Sequence, residues 1–385
     1  MLPTFSEMLK KLVSSPSVSN LDPTLDRSNK HVLSHLANWL EDLKFDVSIH
    51  RVPELHEKYN LVARKGSGTG GLLLGGHTDT VACDESLWTR DPFDTTETED
   101  RYYGLGSCDM KGFFPLALEA VCAFHERNFR EPVTILATAD EETTMAGARH
   151  LVEVGNLTSK VAVIGEPTSM RPVYAHKGIF VLRVQTEGSS GHSSNPALGV
   201  NALEGMHEVL GELIRFRNEL RENYQHPGFE VAFPTLNLGC LHAGDSANRI
   251  CGRADLLVDI RIVPGMSTNM VLSELKNRLT ALEDRIDMPV SIETGFPPID
   301  PFEASKDSEL VRFVAKSSGN EPMTVAFGTE APFLQQMGIE TIVFGPGSID
   351  QAHQADEYLG KGQIDPTKKT LKELIRKYCC ETGSV

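Results

Sequence analysis

The 385-residue sequence lacks several features that mark whole classes of protein. No apolar stretch reaches the roughly 18 residues that a membrane-spanning helix needs, and the opening Met1-Leu2-Pro3-Thr4 begins no apolar signal segment. Positive charge is in deficit, because 37 Lys and Arg face 53 Asp and Glu and the formal net charge is −16. Nucleic acids and anionic membranes are bound through basic surfaces. We therefore expect a cytoplasmic protein that binds neither nucleic acid nor a membrane.

Cysteine is scarce, and its spacing argues against two further classes. The seven cysteines form no Cys-x-x-Cys pair, and their number is odd. This favours neither a disulfide framework nor a zinc cluster of thiolates. The sequence also has no Gly-x-Ser-x-Gly elbow and no P-loop lysine, so a serine hydrolase of that type and a P-loop enzyme are not indicated.

Short apolar runs alternate with helical patterns in the outer parts of the chain. The runs cover residues 72–74, 133–137, 161–164 and 341–344, and residues 24–44 repeat leucine at helical spacing. Such runs are typical of buried strands in a largely parallel or mixed sheet covered by helices. The outer segments therefore predict an α/β fold with a mixed sheet.

The middle of the chain has a different order of elements. Strand patterns at 178–185, 235–241, 254–262 and 290–293 are interleaved with a helix at about 200–220 and a second helix carrying Val271, Leu275, Leu279 and Leu282. The order βαββαβ is the ferredoxin-like plan, which is a complete small domain. We predict that residues 178–297 form a domain inserted into a discontinuous catalytic domain of residues 1–177 and 298–385.

Acidic residues and histidines follow the predicted strands of the outer segments. They are His77 and Asp79 after the first run, Asp140, Glu141 and Glu142 after the second, Glu166 after the third and His353 after the fourth, while Asp109 precedes a helix. Ligands of open α/β sheets bind beyond the carboxyl ends of the strands, so these side chains can converge on one crevice. Taken singly, each has an ordinary interpretation, such as a helix cap for Asp109. The repeated placement is what indicates a site.

Imidazole and carboxylate groups without thiolates suit Zn²⁺ or a similar divalent ion. Since the donors outnumber one tetrahedral shell, a two-metal site with ions roughly 3.5–4 Å apart and a shared carboxylate fits the pattern. Asp79 lies two residues after His77 and would point to the same side if the strand continued. Its carboxylate could then accept the imidazole N–H and orient the ring.

Six motifs together make the chain resemble a known family over essentially its full length. They are Gly76-His77-Thr78-Asp79-Thr80-Val81, Gly104-Leu105-Gly106-Ser107-Cys108-Asp109-Met110-Lys111-Gly112, Ala139-Asp140-Glu141-Glu142, Gly165-Glu166-Pro167-Thr168, Ser190-Gly191-His192-Ser193-Ser194 and Ala352-His353-Gln354-Ala355-Asp356-Glu357. The sequence is similar to the dinuclear zinc aminoacylases and exopeptidases of the M20 type, which remove acyl groups or terminal residues from amino acids.

The resemblance implies a ligand set for two Zn²⁺ per subunit, with Co²⁺ able to substitute. His77 and Glu166 would bind one ion, Glu142 and His353 would bind the other, and Asp109 would bridge them. The family also implies a cis peptide bond after the bridging aspartate, between Asp109 and Met110.

The resemblance further implies catalytic roles for three side chains. Glu141 would be the general base and Asp79 the residue that orients His77. His192 would stabilise the oxyanion. In the family the equivalent histidine lies on the inserted domain and reaches the site of the partner subunit. A homodimer is therefore expected, with the inserted domain serving as a lid and dimerisation domain.

The expected substrate is a small N-acyl amino acid. The resemblance to the family extends to two further segments, Thr329-Glu330-Ala331-Pro332-Phe333 and Gly345-Pro346-Gly347-Ser348-Ile349. These segments resemble family members that remove the acetyl group from Nα-acetyl-L-ornithine, in arginine biosynthesis, so we expect that reaction. Succinyl-diaminopimelate, acetylcitrulline and dipeptides remain alternative substrates.

Several residues are candidates for substrate binding. Arg261, the pair Asn248 and Arg249, and Lys177 are alternative clamps for the substrate carboxylate. We hypothesise that Glu330 favours a cationic side chain such as that of ornithine, with Thr329 supplying a hydrogen bond.

Two other classes of protein fit the sequence less well. The glycine-rich residues 66–71 suggest a dinucleotide-binding oxidoreductase, but that motif should follow a strand and open a helix, whereas here it precedes a strand. His31 and His35 have the spacing of a metalloprotease pair but lack its glutamate. A non-catalytic scaffold should have lost a ligand or the base, and none is lost.

Overall fold

The computed structural model describes residues 2–53, 55–124, 129–155 and 157–380. The α-helices are α1 Phe5–Val13, α2 Lys30–Asp42, α3 Phe113–Cys122, α4 Ala146–Val154, α5 Ala202–Asn223, α6 Thr268–Ile286, α7 Glu309–Ser318, α8 Ala331–Gln336 and α9 Ile364–Ile375. Short 3-10 helices span Glu85–Leu87, Pro196–Leu198, Ile349–Gln351 and Lys361–Gln363, and a π-helical turn spans Arg376–Cys380.

The strands follow in chain order. They are β1 Asp46–Arg51, β2 Tyr59–Lys65, β3 Leu72–His77, β4 Thr96–Glu97, β5 Arg101–Tyr103, β6 Val133–Thr138, β7 Val161–Ile164, β8 Val173–His176, β9 Gly178–Glu187, β10 Thr235–Ala243, β11 Arg253–Ile262, β12 Val290–Thr294, β13 Phe302–Glu303, β14 Met323–Val325, β15 Glu340–Val343 and β16 Tyr358–Gly360.

The chain divides into two compact units. The first contains Met1–Tyr174, Ala304–Met323 and Thr329–Val385, and the second contains Ala175–Glu303 and Thr324–Gly328. The second unit therefore takes in short segments on either side of the predicted insertion. The limits 178–297 for that insertion stay a prediction.

A mixed sheet forms the centre of the first unit. Seven of the nine strands of this sheet run in the order β1-β2-β6-β3-β7-β15-β8. The four central strands β6, β3, β7 and β15 are parallel, and β1, β2 and β8 pair antiparallel with their neighbours. Every residue of β3, β6 and β7 is buried, which explains why these strands are continuous apolar runs. The predicted mixed-sheet α/β fold is confirmed.

The first predicted helix begins later than its leucine pattern suggests. The pattern starts at residue 24, whereas α2 begins at Lys30. The Asp22 side chain accepts hydrogen bonds from the backbone N–H and the hydroxyl of Thr24, at 2.9 and 2.8 Å. An aspartate bonded in this way stabilises a turn, so the chain enters the helix only after that turn is complete.

The second unit has the predicted βαββαβ order of elements. Its sheet runs β10-β11-β9-β12, and all neighbouring strands are antiparallel. One face of this sheet packs against α5 and α6. Alternate residues of β11 are buried, as the alternating sequence pattern predicts, and they include Leu256, Val258 and Ile260.

Two expected absences can be compared with the structure. No helix in the described part of the chain is both long and apolar enough to cross a membrane. No disulfide bond joins any of the seven cysteines, all of which lie within the described residues.

We expect Phe180→Ala to destabilise the second unit by about 3–5 kcal/mol, because a fully buried aromatic side chain leaves a cavity that its neighbours fill only in part. Ile214→Ala is the control, since Ile214 lies on α5 with 37% of its surface exposed and should cost no more than about 0.5 kcal/mol. Urea unfolding of the full chain measures both. Equal losses would contradict the assigned core.

Candidate metal centre

Three of the predicted site segments lie at one edge of the first unit's sheet. β3 ends at His77, β6 ends just before residues 139–142, and β7 ends just before Glu166. These strands are parallel neighbours, so their carboxyl ends meet at the same edge. The structure thus brings His77, Glu142 and Glu166 to the place that the sequence predicts.

Two loops complete the cluster. Asp109 lies on the loop between β5 and α3, next to the cis peptide bond that joins it to Met110, as the resemblance implied. His353 lies on the loop that follows β15. The side chain of Asp109 is 8% exposed, whereas that of His353 is 53% exposed.

Asp109 stands between two pairs of donors. On one side, His77 Nε2 lies 3.1 Å from Asp109 Oδ1 and 3.7 Å from Glu166 Oε1. On the other side, His353 Nε2 lies 3.1 Å from Glu142 Oε2 and 3.7 Å from Asp109 Oδ2. Donor atoms of His77, Asp109 and Glu142 all lie within 4.8 Å of one another. The geometry gathers all five predicted ligands, with a different oxygen of Asp109 directed to each pair.

The charges of this cluster are those of a cation site. Burial raises the pKa of Glu166 to about 8, and burial together with the charge of Asp109 raises the pKa of Glu142. Burial opposes the charged form of His77, but the carboxylates of Glu166 and Asp109 outweigh it and raise the pKa of His77. A hydrogen bond to Glu142 raises the pKa of His353 to about 9. Buried carboxylates that repel one another in this way are stabilised by a positive ion.

One oxygen atom of the donor set has no hydrogen-bond partner in the part of the chain that the structure describes. Glu166 Oε1 is buried and accepts no hydrogen bond within the described residues. A buried oxygen without a partner is costly unless something else binds it. Carboxylate oxygens and imidazole nitrogens are the ligands of catalytic Zn²⁺ sites, so the residues present fit a divalent metal.

Glu141 is the predicted general base, and it lies beside the cluster. Burial raises its pKa well above the usual value, and the charges of Glu166 and Glu142 add to this effect while His77 opposes it. A carboxylate with a raised pKa holds a proton more readily at neutral pH.

Asp79 contacts His77 through a different atom from the one expected. His77 Nδ1 lies 3.0 Å from the backbone oxygen of Asp79, which accepts its proton, whereas the carboxylate oxygen Oδ1 is 3.8 Å away. β3 ends at His77, so the alternation that would place the two side chains together does not continue to Asp79. The carboxylate instead accepts the backbone N–H of Glu141 and of Glu142, at 3.3 and 3.2 Å.

The predicted oxyanion donor His192 and two candidate substrate residues, Asn248 and Arg249, lie together in the second unit. His192 and Arg249 form an isolated β-bridge, and Ser193 N donates to the backbone oxygen of Asn248 at 3.1 Å. All three candidates are exposed, and Arg249 pairs with the exposed carboxylate of Asp245 at 2.6 Å. His192 Nδ1 accepts the backbone N–H of Ser194 at 3.2 Å.

The other two predicted clamps already have partners within the second unit. Arg261 makes a bidentate pair with Asp259, with Nε 2.9 Å from one oxygen and Nη2 3.0 Å from the other. Lys177 is 3% exposed, and its Nζ donates to the backbone oxygen of Phe233 at 2.8 Å.

Thr329 and Glu330 lie in the first unit at the start of α8. The Thr329 hydroxyl accepts the backbone N–H of Ala331, the first residue of that helix, at 3.1 Å. Glu330 is 1% exposed, and neither of its carboxylate oxygens meets a hydrogen-bond partner in the described chain. Burial raises the pKa of Glu330 to about 7.

Two buried charged residues near the cluster had no role in the sequence prediction. The carboxylate of Glu357 accepts three backbone N–H groups from the loop that carries Asp109. Lys111 Nζ donates to the backbone oxygens of Leu12 and Ser15, and burial lowers the pKa of Lys111 to about 7. Both lie within quoted motifs, but their partners are backbone groups, which no residue pattern names.

The mixed sheet and the donor cluster at its edge define a metal-binding enzyme. The chain belongs to Peptidase family M20/M25/M40, whose model matches residues 73–377. It is a metal-dependent amide hydrolase.

Individual relatives agree with this assignment. Over 378 residues the chain is 45% identical to an acetylornithine deacetylase of Klebsiella pneumoniae strain 342. The aligned residues make up 98% of each of the two chains. Among solved structures, it is similar to an M20-family metallo-carboxypeptidase of Sulfolobus solfataricus, with a TM-score of 0.74, 20% identity and coverage of 97% of this chain and 98% of that one. It is also similar to a dinuclear metal-binding peptidase of family M20 from Bacillus subtilis, with a TM-score of 0.65, 14% identity and coverage of 96% of both. At these identities the two structures show the fold alone.

We expect chelation to lower the thermal stability of the protein and Zn²⁺ to restore it. An ion that binds only the folded chain adds about 2.7 kcal/mol at a free concentration 100 times its Kd. Asp109→Asn should lose most of this increment, because the variant replaces the one carboxylate that faces both donor pairs. Differential scanning calorimetry with and without Zn²⁺ measures the effect. An equal increment in both proteins would contradict the assigned centre.

Proposed function

We propose that this chain hydrolyses Nα-acetyl-L-ornithine to L-ornithine and acetate, as a step of arginine biosynthesis. The observation that carries the proposal is the likeness, over nearly the whole of both chains, to the acetylornithine deacetylase of Klebsiella pneumoniae. The donor cluster and Glu141 beside it support the same chemistry, since hydrolysis of an amide needs both a polarised carbonyl and a base for the attacking water.

We further propose that two zinc ions occupy the cluster, with Co²⁺ able to replace them. His77 and Glu166 would hold one ion, Glu142 and His353 the other, and Asp109 both; the distances between these side chains support this division. When bound, the ions would polarise the amide carbonyl and lower the pKa of water to about 7.

Glu141 moves the proton in this proposal. Its carboxylate takes a proton from the attacking water and delivers it to the nitrogen of the leaving amine. Asp79 holds the backbone of Glu141 and, through its carbonyl, the ring of His77.

His192 is the proposed donor to the oxyanion, and it would act in the site of a partner subunit within a homodimer. Its exposure and its Nδ1 contact with Ser194 N–H, which leaves Nε2 as the nitrogen able to donate, support this role. The second unit would then be the lid and dimerisation domain.

Asn248 and Arg249 are the favoured clamp for the substrate carboxylate. Among the described residues, the Arg249 side chain pairs with one exposed aspartate, Asp245. Exposed pairs of this kind are worth about 0–1 kcal/mol, so the guanidinium can exchange partners. Arg261 and Lys177 would each have to give up a hydrogen bond that they already make.

Succinyl-diaminopimelate, acetylcitrulline and dipeptides are the alternative substrates within the same family. The small N-acyl amino acid substrate and the cytoplasmic location remain predictions from the sequence.

We expect purified protein to release free amine from Nα-acetylornithine faster than from acetylcitrulline, acetylmethionine, succinyl-diaminopimelate or a dipeptide. Glu141→Gln should lower kcat roughly 10²- to 10⁴-fold, because the variant keeps the shape of the side chain but cannot carry the proton. Its zinc content should not change. Glu340→Gln is the matched control, since Glu340 begins β15 at the opposite end of the parallel strands. Cleavage of the dipeptide as the main activity would refute the substrate assignment.

We expect Glu330→Gln to discriminate between two roles of this buried carboxylate. If Glu330 pairs with the ornithine ammonium, the variant should lose roughly 10- to 100-fold in kcat/KM for acetylornithine, mainly through KM, and little for acetylmethionine. If Glu330 acts only through neighbours such as Glu141, the kcat/KM of the variant should fall by the same factor for both substrates, mainly through kcat. Steady-state kinetics on the two substrates measure this, and equal losses would contradict the pairing with ornithine.

A further inference from the structure

The carboxylate of Glu357 is enclosed by the loop that carries Asp109. Glu357 is 1% exposed. Its Oε1 accepts the backbone N–H of Cys108 at 2.7 Å and of Asp109 at 2.9 Å, and its Oε2 accepts that of Gly106 at 3.0 Å. Gly106 has a φ of +81°, a conformation that favours glycine. The N–H groups of Gly106, Cys108 and Asp109 converge in the manner of an anion-binding nest, and the carboxyl group of Glu357 fills it.

The backbone around Glu357 is joined to the same loop. Gly104 N donates to the backbone oxygen of Glu357 at 3.0 Å. The next three residues form β16, which pairs antiparallel with β5, so that Tyr358 lies opposite Tyr103. The segment that contains Glu357 is therefore held to residues 101–109 by both its main chain and its side chain.

This junction connects two of the predicted metal ligands. Asp109 donates its own N–H to Glu357, and His353 precedes Glu357 by four residues. Asp109 Oδ2 and His353 Nε2 lie 3.7 Å apart, although the two residues belong to loops far apart in the sequence. Hydrogen bonds from N–H groups to a buried carboxylate are short and strong, so they can fix this separation.

We propose that Glu357 is a positioning residue of the metal centre: by filling the nest of residues 106–109, its carboxylate sets the distance between Asp109 and His353 and so the affinity for the ions. The inference rests on the metal centre of the proposed function, and it assigns Glu357 no contact with a metal or a substrate. Supporting groups of this kind typically change metal affinity roughly 10- to 100-fold when they are replaced.

The test is Zn²⁺ binding to the metal-free full chain, measured without substrate by competition with a chromophoric chelator. Glu357→Gln keeps one acceptor oxygen but turns an NH₂ group towards at least one backbone N–H. We expect its affinity for Zn²⁺ to fall roughly 10- to 100-fold, and the absorption spectrum of the Co²⁺-loaded protein to change. Glu131→Gln is the matched control, because Glu131 Oε2 also accepts a loop N–H, that of Gly70, at 3.0 Å. The control should keep wild-type affinity.

Glu357→Asp provides a second, milder variant. It keeps the charge but is one methylene shorter, so we expect an affinity between those of wild type and Glu357→Gln. Wild-type Zn²⁺ affinity and Co²⁺ spectrum in both variants, with only the thermal stability lowered, would overturn the proposal. So would failure of both variants to fold, since Glu357 would then be a requirement of the fold itself. A wild-type protein that binds Zn²⁺ but does not cleave acetylornithine would refute the proposed function and leave this result intact.

Discussion

The site depends on one constraint: several carboxylate groups are shielded from water close to one another. Parallel strands β6, β3 and β7 end side by side, and the segments after them bring Glu141, Glu142 and Glu166 to one edge of the sheet. Burial makes each of these carboxylates harder to ionise, and their closeness adds to the effect. Such an arrangement is neutralised either by bound protons or by positive charge placed beside it. His77 supplies part of it, and the donor geometry around Asp109 is suited to ions that supply the rest.

The buried carboxylates around the centre fall into two kinds. Asp79 and Glu357 accept backbone N–H groups with both of their oxygens, so the main chain compensates their burial. Glu166 and Glu330 each have at least one buried oxygen without a hydrogen bond in the described chain. Carboxylates of the first kind shape the loops, whereas those of the second kind are available to a ligand.

Much of the fold, and the convergence of the candidate ligands at one edge of the sheet, could be predicted because both depend on short patterns; the division of the ligands between two ions came from the family resemblance and stays a prediction. Apolar runs followed by acids located the edge of the sheet, and alternation in residues 254–262 located β11. The hydrogen bonds of Asp79 and Glu357 could not be predicted, since their partners are backbone groups whose positions depend on where a strand ends and how a loop turns. Arg261 shows a related limit: its residue type suits a substrate carboxylate, but its neighbour Asp259 on the same strand already binds it.

The shared support of Glu141 and Glu142 has a further consequence. These consecutive residues donate their N–H groups to the two oxygens of a single carboxylate, that of Asp79. Any shift of Asp79 therefore moves both the proposed general base, Glu141, and the proposed metal ligand, Glu142. A substitution that moves Asp79 therefore cannot adjust the position of Glu141 without also moving Glu142. Changes of substrate should accordingly come from residues that this shared anchor does not hold.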